Sequence, residues 1–124
     1  MVSQASKWSE NMKPELYCKL FIHTEIPIEE LFDLINLHLK GAKSGIRAIR
    51  TNLLEFDLRD NNEYCPGSQD FLFWKYYADI ETWVSDETSY IQCVNSLILF
   101  LKNKRINTIA ACNFENELFV SYEN

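Results

Sequence analysis

The stretch DFLFWKYYADIETW, Asp70–Trp83, alternates along its length, and its reading decides the fold. Leu72, Trp74, Tyr76, Ala78 and Ile80 fall on one side of an extended chain, and Phe71, Phe73, Lys75, Tyr77, Asp79 and Glu81 on the other. The first side is apolar throughout. The second mixes aromatic rings with charges, so the strand has one face for a core and one face for a different environment.

Upstream, Ile46–Arg59 repeats the pattern, with Leu54, Phe56 and Leu58 opposed to Glu55, Asp57 and Arg59. Between the two runs lies the densest turn chemistry in the chain, Asp60, Asn61, Asn62, Pro66, Gly67 and Ser68, and the spacing predicts a hairpin. Farther out, Pro27 followed by Glu29 and Glu30 opens a helix with the apolar stripe Ile28, Leu31, Phe32, Ile35 and Leu39. Gly41 ends it, and residues 41–45 read as a connection. Ser85, Asp86 and Glu87 open a second helix with Tyr90, Val94, Leu97, Ile98 and Leu101 turned inward and Lys102, Lys104 and Arg105 at its far end. Alternating runs at Leu16–His23 and Thr108–Phe114 supply the first and last strands. The order strand, helix, strand, strand, helix, strand predicts an α+β domain of ferredoxin-like βαββαβ type, a four-stranded antiparallel sheet with two helices on one face. With Leu20, Leu54, Phe56, Trp74, Tyr76 and Ile80 toward the helices, the open face carries Tyr17, Lys19, Phe21, Glu55, Asp57, Arg59, Phe73, Lys75, Tyr77, Asp79 and Glu81. Rings among charges suit a protein contact, whereas a simply solvated face, partly covered by the chain termini, is the other reading.

At 124 residues, 47% hydrophobic and 14% aromatic with three Gly and three Pro, the chain has the composition of one packed domain, expected over 15–124 behind a flexible segment 1–14. The formal net charge of -6 repels phosphate backbones and attracts basic surfaces, which favours a basic protein partner over nucleic acid. No apolar run suits a signal peptide or a membrane span, so no membrane association and a cytoplasmic location are expected.

Chemistry-bearing residues are sparse. Cys18, Cys65, Cys93 and Cys112 fall in four segments without a CxxC pair, which reads as reduced structural thiols and gives no metal site. His38 borders the first helix's apolar stripe, and His23 ends the first strand; neither has an acid or thiol at a spacing that would orient it for catalysis. There is no glycine-rich phosphate loop, and no cofactor is expected. Carboxylates do recur in pairs two residues apart, Glu55 with Asp57, Asp79 with Glu81 and Glu115 with Glu117, each on one side of an extended segment. Such pairs can form a solvated face, hold a cation, or steer the Lys and Arg side chains of a partner.

The second half of the chain resembles a known group. Phe73-Trp74-Lys75-Tyr76-Tyr77-Ala78-Asp79-Ile80-Glu81, the helix from Tyr90-Ile91-Gln92-Cys93-Val94 to Leu101, and Ala110-Ala111-Cys112-Asn113-Phe114-Glu115-Asn116-Glu117-Leu118 look like the small acidic immunity proteins of bacterial polymorphic-toxin and contact-dependent growth-inhibition systems. The likeness spans roughly residues 70–118 as a pattern without a diagnostic motif, and Asn113 stands where an acid is expected. It implies a non-enzymatic inhibitor of one cognate toxin C-terminal domain, a basic nuclease, whose active site it covers. Under that reading Asp79, Glu81, Glu115 and Glu117 make charged contacts and Tyr77, Trp83 and Phe119 are anchors. The alternative is a ferredoxin-like homodimer that binds a small ligand or acts as an enzyme on the open sheet face, for which His23, Asp79 and Tyr77 are the available acid-base set. A ligand-sized pocket beneath or between sheets would favour that alternative.

Overall fold

A computed structural model describes residues 16–114 and Leu118. Its elements, in chain order, are β1 (Cys18–His23), α1 (Ile28–Leu39), β2 (Ala42–Lys43), β3 (Ala48–Arg50), β4 (Glu55–Asp60), a 3-10 turn (Phe71–Phe73), β5 (Tyr76–Glu81), α2 (Glu87–Asn103) and β6 (Asn107–Cys112). Among the described residues the class is α+β with two α-helices, as the periodicity predicts. Among the described residues the sheet has six strands in the order β2-β3-β4-β5-β1-β6, and every neighbouring pair is antiparallel.

The expected four strands become six because the run Ile46–Arg59 is broken in two and a further strand precedes it. Thr51 folds the chain back, its amide donating to the Leu54 carbonyl at 2.9 Å while its Oγ1 accepts from the Leu53 and Leu54 amides at 3.0 and 3.1 Å. A hydroxyl that satisfies nearby amides competes with the ladder, and β3 and β4 result. The segment expected as a connection supplies β2. Gly41 permits this: a Cβ there would lie 2.6 Å from the Arg50 carbonyl oxygen and 2.6 Å from Ile49 Cγ2. Only a residue without a side chain lets the two backbones approach so closely.

Asp70–Trp83 is likewise shorter as a strand than its alternation suggests. Asp70 accepts from the Leu72 amide at 3.0 Å and turns Phe71–Phe73 into a 3-10 helix, so β5 begins only at Tyr76. Leu72 is consequently exposed and Trp74 stands outside the core, both contrary to the alternating pattern. Asn61, itself buried, pins this returning segment by donating to the Leu72 and Trp74 carbonyls at 3.0 and 2.7 Å.

The helices follow their sequence signals closely. Pro27 stands at the N-cap of α1, one residue before the expected place, and Lys40, not Gly41, takes the left-handed conformation at its end (φ 56°). In α2 the N-cap is Asp86, one residue past Ser85, and its carboxylate accepts from the Ser89 amide at 3.1 Å. Leu31, Phe32 and Ile35 of α1 and Tyr90, Val94, Leu97, Ile98 and Leu101 of α2 enter one core with Cys18, Leu20, Ile22, Ile49, Phe56, Leu58, Tyr76, Ala78, Ile80 and Ala110. The strand members of that core share one side of the sheet, so both helices pack on that side and neither packs on the other. Two buried tyrosines tie the layers together, Tyr76 donating to the Ile26 carbonyl at 2.8 Å and Tyr90 to the Ile80 carbonyl at 3.1 Å. No helix among the described residues is long and apolar enough to cross a membrane.

Candidate functional site

The side of the sheet away from the helices is organised by the β4–β5 register. Glu55 pairs with Glu81, Asp57 with Asp79 and Arg59 with Tyr77, so two pairs of carboxylates stand directly opposite each other on neighbouring strands. Like charges at opposed positions disfavour the sheet, and their persistence calls for local neutralisation. Arg59 supplies part of it, with one nitrogen 2.7 Å from Asp57 and another 3.4 Å from Asp79. Arg50 lies 3.6 Å from Glu55, and Ser44 donates to the same carboxylate at 2.6 Å. Glu81 is in no ion pair among the described residues.

Aromatic groups frame these acids. On the β1 side, the Lys19 ammonium sits 4.4 Å from the centre of the Tyr77 ring and 5.3 Å from that of Phe21. The Tyr17 hydroxyl donates to Asp79, and burial first, with that bond second, raises its pKa well above the usual phenol value. On the other flank, Trp83 is half exposed under the Arg50 guanidinium, 4.4 Å from its ring centre. Ile46, in the loop between β2 and β3, is 88% exposed.

That loop and the strands beside it enclose an open groove of about 510 Å³, lined by Ser44, Ile46 and Ala48 on one wall and by Glu55, Asp57, Arg59 and Tyr77 along its floor. The groove lies along the face away from the helices, not beneath the sheet. At the far end of the face the 3-10 turn folds over it. Phe71 packs edge-on against Phe21 at 5.2 Å, which buries Phe21, expected to lie open. His23 stacks on Trp74 at 5.1 Å.

Comparison with family models, curated proteins and solved structures finds no match to this chain. The reading of the face therefore rests on its own geometry.

Of the residues picked from sequence, Tyr77, Asp79 and Glu81 come together on β5, and Trp83 follows them at the rim. Glu115, Glu117 and Phe119 lie outside the described residues, as does the segment 1–14. The acid-base set His23, Asp79 and Tyr77 is not assembled: the register puts the Phe21–Tyr77 row between Asp79, which pairs with Lys19, and His23. His38 bridges the helices, 3.0 Å from Ser96 Oγ and stacked on Phe100 at 4.6 Å; burial, then Lys40, lowers its pKa. Sequence reasoning missed Ile46 and Asn61. The first reads as an ordinary strand residue and the second as one turn residue among several, so only the folded hairpin and the returning loop reveal them.

Proposed function

We propose that this chain is an immunity protein that binds a cognate bacterial toxin domain and neutralises it by covering its active site with the face of β4 and β5 opposite the helices. The observation that carries the reading is the double row of opposed carboxylates, Glu55 with Glu81 and Asp57 with Asp79, on a face that neither helix packs against. Repulsion within such a row is relieved when cationic side chains of a partner dock on it, which favours a basic domain and speeds its approach. Tyr77, Trp83 and Ile46 around the row are the apolar anchors that such a contact needs. A toxin that binds nucleic acid presents that basic surface, so the partner is read as a nuclease and the acidic face as a substitute for its substrate. The site of action is then the cytoplasm of the producing cell.

The β6-β1-β5-β4 order with its two intervening helices supports a ferredoxin-like βαββαβ unit, extended at the β4 edge by β2 and β3. Co-purification of the tagged chain with the C-terminal domain encoded immediately upstream, followed by rescue from that domain's toxicity, tests the function. A one-to-one pairing of chains with rescue supports it; neither complex nor rescue overturns it.

One observation favours a second reading. The 510 Å³ groove is of ligand size, and a small molecule carrying a cation could sit between Ile46 and Tyr77 above Glu55 and Asp57. Saturable binding of such a molecule, without any protein complex, would select that reading.

A further inference from the structure

Cys18 on β1, Cys93 on α2 and Cys112 on β6 all pack in or against the one core. The Tyr90 phenol stands among them: burial first, then the Cys18, Cys112 and Cys93 thiols in that order, raises its pKa. Its hydroxyl donates to the carbonyl of Ile80, which is the β5 partner of Cys18. On the other side of β1 the residue opposite Cys18 is Cys112, so the two side chains share the core face of the sheet.

The ladder sets how close they come. The Asn61 amide donates to the Lys75 carbonyl at 2.9 Å, one step beyond the Asp60–Tyr76 pairing, which makes Asn61 and Lys75 a hydrogen-bonded pair. Such pairs alternate with non-hydrogen-bonded ones along an antiparallel ladder, and the β4–β5 register runs unbroken back to Phe56 and Ile80. Ile80 therefore turns its amide and carbonyl away from β4 and toward Cys18, and Cys18 turns its own toward Ile80 and away from β6. Cys18 and Cys112 are thus a non-hydrogen-bonded pair, the kind whose Cα atoms lie about 4.5 Å apart and whose side chains come closest. A disulfide spans Cα separations of about 4.4–6.8 Å. Cys18 is the first residue of β1 and Cys112 the last of β6, so the small adjustments of closure fall at strand ends.

We propose that Cys18 and Cys112 are a redox-active pair that closes to a cross-strand disulfide by exchange with a low-molecular-weight disulfide of the glutathione class. Cys112 is partly exposed and Cys18 fully buried, so Cys112 meets the oxidant first. Its thiolate attacks one sulfur of the small disulfide, breaking that S–S bond and releasing one thiol. Cys18 then attacks Cys112 Sγ in the mixed disulfide and expels the second thiol. The two protein thiols lose two electrons and two protons, and the small disulfide takes up both to become two thiols. The new bond encloses both helices and β2 to β5 in one loop, and closing so long a loop restrains the unfolded chain. Cys93 belongs to α2 and has no opposed position in the ladder. The pair lies on the core side of the sheet, away from the acidic row, so it stands or falls apart from the proposed function.

Incubation of the full chain across a series of reduced-to-oxidised glutathione ratios, followed by non-reducing digestion, mass mapping and thermal unfolding, tests the pair. The expected result is a peptide containing Cys18 joined to one containing Cys112 within a single folded chain, reversed by dithiothreitol, with the unfolding midpoint of the oxidised form higher by on the order of 10 °C. Cys112→Ser should remove both the link and the shift while keeping the circular dichroism of the reduced wild type, and Cys93→Ala should keep both. Recovery of Cys18 and Cys112 as thiols, or as glutathione adducts without a link, at the most oxidising ratio overturns the proposal. A link through Cys93, or one that forms only after the chain is unfolded in urea, overturns it as well.

Discussion

Asp57 and Asp79 face each other directly across β4 and β5, and the Arg59 guanidinium lies between them as a shared counter-ion. Together with Glu55 and Glu81 in the next pairing, they give the face opposite the helices an electrostatic frustration that the described residues only partly resolve. Removing the counter-ion exposes that cost. Arg59→Ala should destabilise the protein by a few tenths to about 1 kcal/mol at low salt, less at high salt, because the pair is half exposed. Adding Asp57→Asn should restore most of the loss, as read from urea unfolding midpoints of the single and double variants.

Asn61 holds the returning loop through two carbonyls that have no other side-chain donor among the described residues. Asn61→Ala leaves them unsatisfied, and a loss of about 1–3 kcal/mol is expected. The same change should release Phe71 from Phe21 and Trp74 from His23, seen as a shift in tryptophan fluorescence before global unfolding.

Gly41→Ala places a methyl against the Arg50 carbonyl and Ile49. Separation of β2 from β3 is the expected result, at about 1–3 kcal/mol, with faster amide exchange in both strands.

The His38 ring, half-buried between the helices, has its pKa lowered below the usual 6.5. The folded state then binds fewer protons than the unfolded chain, so this histidine's contribution is complete above pH 6.5 and is lost as pH falls through the lower, folded value. His38→Gln should flatten the decline of unfolding midpoint on the acid side of 6.5, while the wild type keeps its slope.

Both helices and the first and last strands were legible because their signals are local: the stripe from Tyr90 to Leu101, capping acids, and alternation in Leu16–His23. What escaped depends on side chains that bond to backbone. Thr51 splits one apparent strand into β3 and β4, Asp70 curls Phe71–Phe73 out of another, and Asn61 draws that segment back over the sheet. Alternation runs on through Phe71–Phe73, so periodicity cannot mark that break, whereas the adjacent Leu53 and Leu54 shift the phase after Thr51 and the polar turn around Asn61 carries no period at all. The site was half legible for the same reason. The charges of β4 and β5 could be placed on one face from period two, but that Glu55 meets Glu81 and Asp57 meets Asp79 depends on register, which the turn between the strands sets. The groove needs the β2–β3 hairpin, and no pattern announced that hairpin.

The central claim, that the acidic row docks a basic toxin domain, is tested most directly by its association rate. The upstream-encoded domain would be mixed at low salt with the wild type, with the double variant Glu55→Lys, Glu81→Lys, and with Glu30→Lys, Asp33→Lys on the exposed side of α1 as a control of equal charge change. The account predicts association at least about tenfold slower for the double variant, steep salt dependence for the wild type, and only a small change for the control. Equal rates for wild type and double variant, or equal slowing by the α1 control, would contradict it.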